Sequence, residues 1–197
     1  MDLQIAIFIN KLLAGTFLDS FTVLISDKFF LITLWILLLI IAFILDKKHR
    51  YHILIAIVIS IIIHFLINEL FFKEFLGYFT DLRVRPYLAY PDLIAALGNN
   101  STDASFPSSH MSLTVAFITI FIYFFGKIRS ATPASGVGWL IWLFGILLAI
   151  AMAFSRIHNG MHYPTDVIAG TILGIAYGII GVYSAKKVEQ KIGLFKP

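Results

Sequence analysis

An all-α, polytopic integral membrane helical bundle is the fold class this sequence predicts. Three observations carry that reading. Of the 197 residues, 59% are hydrophobic, and the mean hydropathy is +0.91. The apolar residues fall into long runs separated by short polar breaks, and basic residues gather in those breaks. A soluble domain of this length cannot enclose so much apolar surface, so the excess must face lipid. About five spanning helices plus an N-terminal helix are expected, in a single membrane-embedded domain over 1–197.

Met1 to Ile25 is apolar but interrupted by Asn10, Lys11, Gly15 and Asp19. It reads as a helix that lies in the interface or spans weakly, with the interfacial placement preferred. Phe29 to Leu45 is an uninterrupted apolar run at the short end for a span. Asp46 to Arg50 is a basic loop. His52 to Phe72 is the next span, and its polar members His64, Asn68 and Glu69 gather at the far end, with His64 and Asn68 on one helical face. Lys73 to Ser109 is the one long polar stretch and reads as an outer loop, which at that length is usually functional. Met111 to Phe125 is again apolar, and Gly126 to Gly136 reads as a loop carrying Lys127 and Arg129. Val137 to Phe154 spans next, with Trp139 and Trp142 as interface anchors. Val167 to Ser184 is the last span. Its Gly170, Gly174 and Gly178 recur every four residues and predict a close-packing face for another helix.

The charges set the orientation and exclude some functions. The formal net charge is +4, but the cations sit in short loops, so nucleic-acid binding is a poor explanation. Alternating spans put Lys47, Lys48, Arg50, Lys127, Arg129, Lys186, Lys187, Lys191 and Lys196 on one side. The other side receives Lys28, Lys73, Arg83, Arg85 and Arg156. The positive-inside rule assigns the richer side to the cytoplasm. There are no cysteines, which excludes a disulfide framework, a cysteine nucleophile and thiolate-bound zinc. Asp2 stands where a signal peptide would begin with basic residues, and no clear cleavage site follows, so no cleavable signal is expected.

Three polar islands then fall together on the outer face: Arg83-Val84-Arg85-Pro86, Ser105 to His110, and Ser155 to Asp166. Placing arginine, histidine and aspartate at a membrane edge is costly unless they do chemistry there. Phosphoryl transfer needs a nucleophile, a cradle for phosphate oxygens and a proton for the leaving oxygen. Arg85 and Arg156 offer bidentate forks. Ser108 and Ser109 offer hydroxyls, and a helix starting at Ser109-His110 would aim free N–H groups at an anion. A neutral His162 can attack phosphorus if a carboxylate such as Asp166 fixes its tautomer. His110 can protonate the leaving group.

These islands resemble the signature of the type-2 phosphatidic-acid phosphatase superfamily: Lys-x6-Arg-Pro, Pro-Ser-Gly-His and Ser-Arg-x5-His-x3-Asp. The third block is complete as Ser155, Arg156, His162 and Asp166. The second is Pro107, Ser108 and His110, with Ser109 in place of glycine. The first is Arg85-Pro86, with Tyr78 at the lysine position and Arg83 as a source of replacement charge. The resemblance implies catalytic roles for His162 (phosphohistidine nucleophile), Asp166 (its orienting group) and His110 (general acid). It implies phosphate binding by Arg85, Arg156, Ser108 and Ser109, with Arg83 and Tyr78 at the altered first block, and no metal or other cofactor.

The foremost substrate implied by the resemblance is undecaprenyl pyrophosphate, hydrolysed at the outer face of the cytoplasmic (inner) membrane for reuse as a cell-wall glycan carrier. Phosphatidylglycerol phosphate, phosphatidic acid and lipid A phosphates are alternatives, as is phosphotransfer to another acceptor. The partners are therefore a lipid phosphate and the bilayer. A lipid transporter or scaffold is the non-enzymatic alternative. Each residue also has a plainer role: buried structural histidines, snorkelling arginines, Asp166 as a helix cap and Ser155 as a structural hydroxyl. His158, His162 and Asp166 recur every four residues as metal ligands on one helix might, but Gly160 and Pro164 argue against a continuous helix there. Glu69 is a candidate partner for Arg83, and the loop from Tyr87 to Thr102 a candidate gate.

Overall fold

The computed structural model describes residues 1–12, 14–98, 101–125 and 137–192. The expected loop over 126–136, with Lys127 and Arg129, and the terminal Lys196 lie outside the described residues. Helix is the regular structure throughout the described residues: α1 Asp2–Lys11, α2 Phe17–Ser26, α3 Lys28–Leu45, α4 Arg50–His64, α5 Pro86–Ala89, α6 Ser109–Phe125, α7 Val137–His158 and α8 Pro164–Ile192. Four helices are long and apolar enough to cross a membrane, over Lys28–Leu45, Arg50–Tyr78, Trp139–His158 and Pro164–Lys191. With the shorter apolar α6, they form the bundle of an integral membrane protein.

Two boundaries differ from those read in the sequence. The helix that begins as α4 does not stop at Phe72. It continues through π-helical turns over Phe65–Phe75 and a 3-10 turn over Leu76–Tyr78. Lys73 therefore belongs to a helix, on the same face as Glu69, and the long loop begins only after Tyr78. The N-terminal apolar segment is not one helix but two. The chain breaks after Lys11 and turns at Gly15, whose φ of 79° is the left-handed region that glycine tolerates. Asp27 then caps α3 by accepting the Phe30 N–H at 2.8 Å. Both short helices pack against α7, and they bury Asn10 and Thr22 as well as Ala6 and Ile25.

The centre of the bundle is α6, which packs against α4, α7 and α8. Its contact with α8 is close because glycine makes it so. A Cβ on Gly170 would lie 2.7 Å from the Ser108 carbonyl oxygen, and one on Gly174 would lie 2.8 Å from Val115 Cβ. The glycine face expected of the last span is thus seated on α6. This approach of backbones also sets the site, because it holds the start of α6 beside the start of α8: the Ser108 N–H donates to the Asp166 carbonyl at 3.2 Å. By contrast α3 stands at the edge, with Leu31 and Ala42 its buried residues and Ile32, Ile36 and Ile40 exposed for lipid.

Gly174→Val should lower the thermal unfolding temperature in detergent, with a loss of about 1–3 kcal/mol, typical of overpacking. Unchanged stability would mean that the two helices can separate freely.

Candidate active site

Four side chains from four parts of the chain reach one cavity of about 870 Å³. Arg85 caps the start of α5, His110 lies in the first turn of α6, Arg156 in the last turn of α7, and His162 in the loop between α7 and α8. The sharp exit from α7 puts His162 back under Arg156, whose carbonyl accepts the His162 N–H at 3.1 Å. Gly160 makes that exit possible. Its φ is +72°, and a Cβ there would lie 2.7 Å from the Ala95 carbonyl. The cavity continues from this polar end into an apolar groove lined by Leu31, Trp35 and Leu39 of α3, Leu54 and Ile61 of α4, and Phe117 of α6.

The imidazole of His162 is buried and held at both nitrogens. Nδ1 lies 2.7 Å from the Ser105 carbonyl. A carbonyl can only accept, so Nδ1 carries the proton and the Nε2 lone pair faces Arg85 Nη1 at 3.2 Å. Burial pushes this imidazole down to about 3; Arg156 and Arg85 act in the same direction, against the nearby charge of Asp166. The neutral form is therefore the resident one.

Arg85 is fixed by the loop before α6. Its Nε donates to the Asp103 carbonyl at 2.9 Å, its Nη2 to Asp103 Oδ1 at 2.8 Å, and its Nη1 to the Met161 carbonyl at 3.1 Å. Asp103 also accepts Lys73 Nζ at 2.7 Å and the Ser101 hydroxyl. Burial opposes its ionisation, but the bonds from Lys73 and Ser101 and the charge of Arg85 prevail and hold its carboxyl well below the usual carboxylate range. Arg156 is different. Its side chain is buried, yet its Nε meets no hydrogen-bond partner among the described residues, and neither does the buried Ser108 Oγ. Orphaned donors of this kind are rare and costly, and an anion would satisfy them.

Asp166 stands one step behind His162. Its Oδ2 lies 3.8 Å from Nδ1 but accepts the Ser105 hydroxyl at 2.5 Å and the Tyr163 N–H at 2.9 Å. The second bond is the cap of α8 that the sequence allowed, made by a side chain reaching back from the third helical position. Asp166 thus reaches His162 through Ser105. Ser109 donates its hydroxyl to Glu69 at 2.6 Å, and both residues line the cavity.

Of the first block only Arg85 lines the cavity; the altered positions Tyr78 and Arg83 do not. Tyr78 is 83% exposed and lies away from the lining residues. Arg83 pairs with Asp2 and with Asp166 Oδ1 at 2.7 Å. The expected Glu69–Arg83 pair is not formed: Glu69 binds Lys73 at 3.1 Å and Ser109, because the helical continuation past Phe72 brings Lys73 one turn above it. His158 spends its ring on the Ile9 carbonyl and Asp19, both at 2.9 Å. Ser155 bonds Ser26 at 2.7 Å. Among the described residues no three His, Cys, Asp or Glu side chains are grouped to hold a metal.

Sequence reasoning passed over Ser105, Asp103 and Lys73 as site residues, and with them Lys28, which lines the cavity from the start of α3. Lys73 had a signal, since it stands four residues after Glu69 and closes an ion pair on a helix. Asp103 had none, and Ser105 was marked only as the first residue of its polar island, because their roles rest on contacts with residues far along the chain.

The model of the PAP2 superfamily matches residues 54–190. The chain belongs to the PAP2 superfamily. Among curated relatives in this superfamily, the bacitracin transport permease protein BcrC of Bacillus licheniformis is 34% identical over 57% of this chain and 50% of its own length. The undecaprenyl-diphosphatase BcrC of Bacillus subtilis is 30% identical over 83% of this chain and 72% of its own length. An undecaprenyl-diphosphatase of Sulfolobus acidocaldarius is 28% identical over 77% of this chain and 66% of its own length. The matched part is thus about half of the first of these proteins and about two thirds or more of the other two. The fold is that of Aquifex aeolicus LpxE, with a TM-score of 0.66 and 23% identity over 92% of this chain and 94% of that one. It is equally that of the PAP2-type phosphatidylglycerolphosphate phosphatase of Bacillus subtilis, with a TM-score of 0.65 and 22% identity over 98% and 88%.

The displaced imidazole has a consequence for acid stability. The folded group sits near 3 and the unfolded one near 6.5, so the unfolded chain binds the extra proton first. The contribution is whole above pH 6.5 and is lost as pH falls towards 3. His162→Gln should therefore lose less thermal stability than the native protein between pH 7 and pH 5. An equal loss would place the imidazole in water.

Proposed function

We propose that this chain is a membrane lipid phosphatase that cleaves a lipid diphosphate or monophosphate through a phosphohistidine. The observation that carries the reading is the junction of two environments in one cavity. Arg156 with its orphaned Nε, the Arg85 fork and a neutral histidine form one end, and an apolar groove between α3, α4 and α6 forms the other. Leu31 to Leu39 alone covers about 12 Å along α3 at 1.5 Å per residue. A phosphate at the polar end leaves a tail attached to it lying in that groove. A water-soluble phosphate ester has no use for such a surface.

In this reading Arg85 and Arg156 grip the phosphate, with Ser108 Oγ and the N-terminal N–H groups of α6 completing the cradle. His162 Nε2 leaves Arg85 and attacks phosphorus in line. The bond to the leaving oxygen breaks as His110 delivers a proton to it. Ser105 keeps the proton on Nδ1, and Asp166, 3.8 Å away, offsets the positive charge that the phosphorylated ring acquires. Water then attacks phosphorus, giving its proton to His110. The P–N bond breaks, inorganic phosphate leaves, and neutral His162 returns. No step calls for a metal.

The foremost substrate is undecaprenyl diphosphate, a reading supported by the names of relatives that align over most of this chain. The positive-inside pattern supports a site on the outer face of the inner membrane. The single domain over 1–197, with its site above the bundle, belongs to the same proposal.

Detergent-purified protein with EDTA present should release phosphate from undecaprenyl diphosphate faster than from phosphatidylglycerol phosphate, phosphatidic acid or lipid A. His162→Ala should abolish turnover, by at least ~1000-fold for a covalent nucleophile, and His110→Gln should cost roughly 10²–10⁴-fold. Activity in His162→Ala, or activity that needs an added divalent cation, would overturn the mechanism. A different fastest lipid would overturn only the substrate.

A further inference from the structure

The family match begins at residue 54, so α1 and α2 lie outside it. Yet these two helices hold the loop that carries His162 at each end. Asn10 Nδ2 donates to the carbonyls of Ala95 and His158 at 2.9 and 2.7 Å. Asp19 takes the His158 ring, and Ser26 takes Ser155 and Asn159. Asp2 is the point at which this strap touches the residues behind the imidazole.

The Asp2 carboxylate is fully engaged there. Oδ1 accepts the Thr165 N–H at 3.1 Å, and Oδ2 accepts the Thr165 hydroxyl at 2.7 Å. Oδ2 also accepts Arg83 Nη2. The other arm of Arg83 donates to Thr165 Oγ1 at 2.6 Å and to Asp166 Oδ1 at 2.7 Å, and its plane lies over the Tyr163 ring at 3.9 Å. The second Asp166 oxygen holds the Ser105 hydroxyl, and the Ser105 carbonyl holds His162 Nδ1. The Ser105 N–H returns to the Arg83 carbonyl at 2.8 Å. Each group in the series has its remaining freedom removed by the next.

Resting on the phosphatase reading above, we propose that Asp2 is a positioning residue for the reaction, acting on His162 through Arg83, Asp166 and Ser105. The geometry explains why a carboxylate is needed. Asp166 is wholly buried, and Arg83 is the cation that neutralises it. A flexible arginine shared with one carboxylate can swing toward the bilayer surface; shared between two, with a ring beneath it, it is held in one plane. Asp2 does not line the cavity, so its removal acts on the chemical step and not on lipid binding.

The test compares native protein with Asp2→Asn and Asp2→Glu in detergent, using undecaprenyl diphosphate. Asp2→Asn should lower kcat about tenfold, the low end of the 10–100-fold cost of losing an outer-shell partner of a metal-bound histidine, with KM within about twofold. Asp2→Glu should recover most of kcat because it restores the charge. The Nδ1–H resonance of ¹⁵N-labelled His162 should shift in Asp2→Asn, and this readout needs no turnover. An unchanged kcat with an unchanged resonance overturns the proposal. So does a loss of activity that only tracks loss of folded protein and is equal in both variants. If the native protein releases no phosphate, the phosphatase reading falls instead, and the resonance alone decides whether Asp2 sets the imidazole.

Discussion

The rest of this structure depends on holding one imidazole neutral and correctly oriented beside two guanidinium groups where the end of α7 and the start of α8 meet the start of α6. The Ser105 carbonyl does this directly, 2.7 Å from Nδ1. Burial disfavours the imidazolium and the adjacent arginines repel it, so the lone pair on Nε2 remains available. The carbonyl is fixed in turn, because Ser105 is pinned to Asp166 through its hydroxyl and to Arg83 through its N–H.

Two features of the bundle serve that arrangement. Glycines on α8 let α6 approach until backbone oxygens are within contact distance of where a Cβ would be, which holds the starts of both helices at one level. Arg85 and His110 can then face Arg156 and His162 across a single cavity. On the lipid side, α3 contributes little burial and stands beside an apolar groove. One cavity thus joins two different surfaces, a cationic end and an apolar groove.

The π-helical turns after α4 are the least expected local feature. They carry Asn68 and Glu69 inward, where Asn68 bonds Ser112 and Tyr177 at 3.1 and 2.6 Å. Glu69 draws the Ser109 hydroxyl and Lys73 to itself. The serine at the position where the family motif has glycine thus has a partner for its hydroxyl. Irregular helix of this kind is found chiefly where side chains must be re-aimed for function.

The sequence by itself determined the class of fold, the order of the apolar runs, the glycine face of α8 and the three islands that meet in the cavity. These are legible because hydropathy and helical spacing are local properties, and because arginine and histidine are conspicuous among apolar residues. Only the tertiary structure decided which charged groups face the cavity. Arg83 looked like replacement charge for the phosphate, yet it bridges Asp2 and Asp166. Ser105 likewise took a position that spacing does not reveal. Each such assignment depends on a partner dozens of residues away, and a buried side chain settles on whichever distant atom satisfies it.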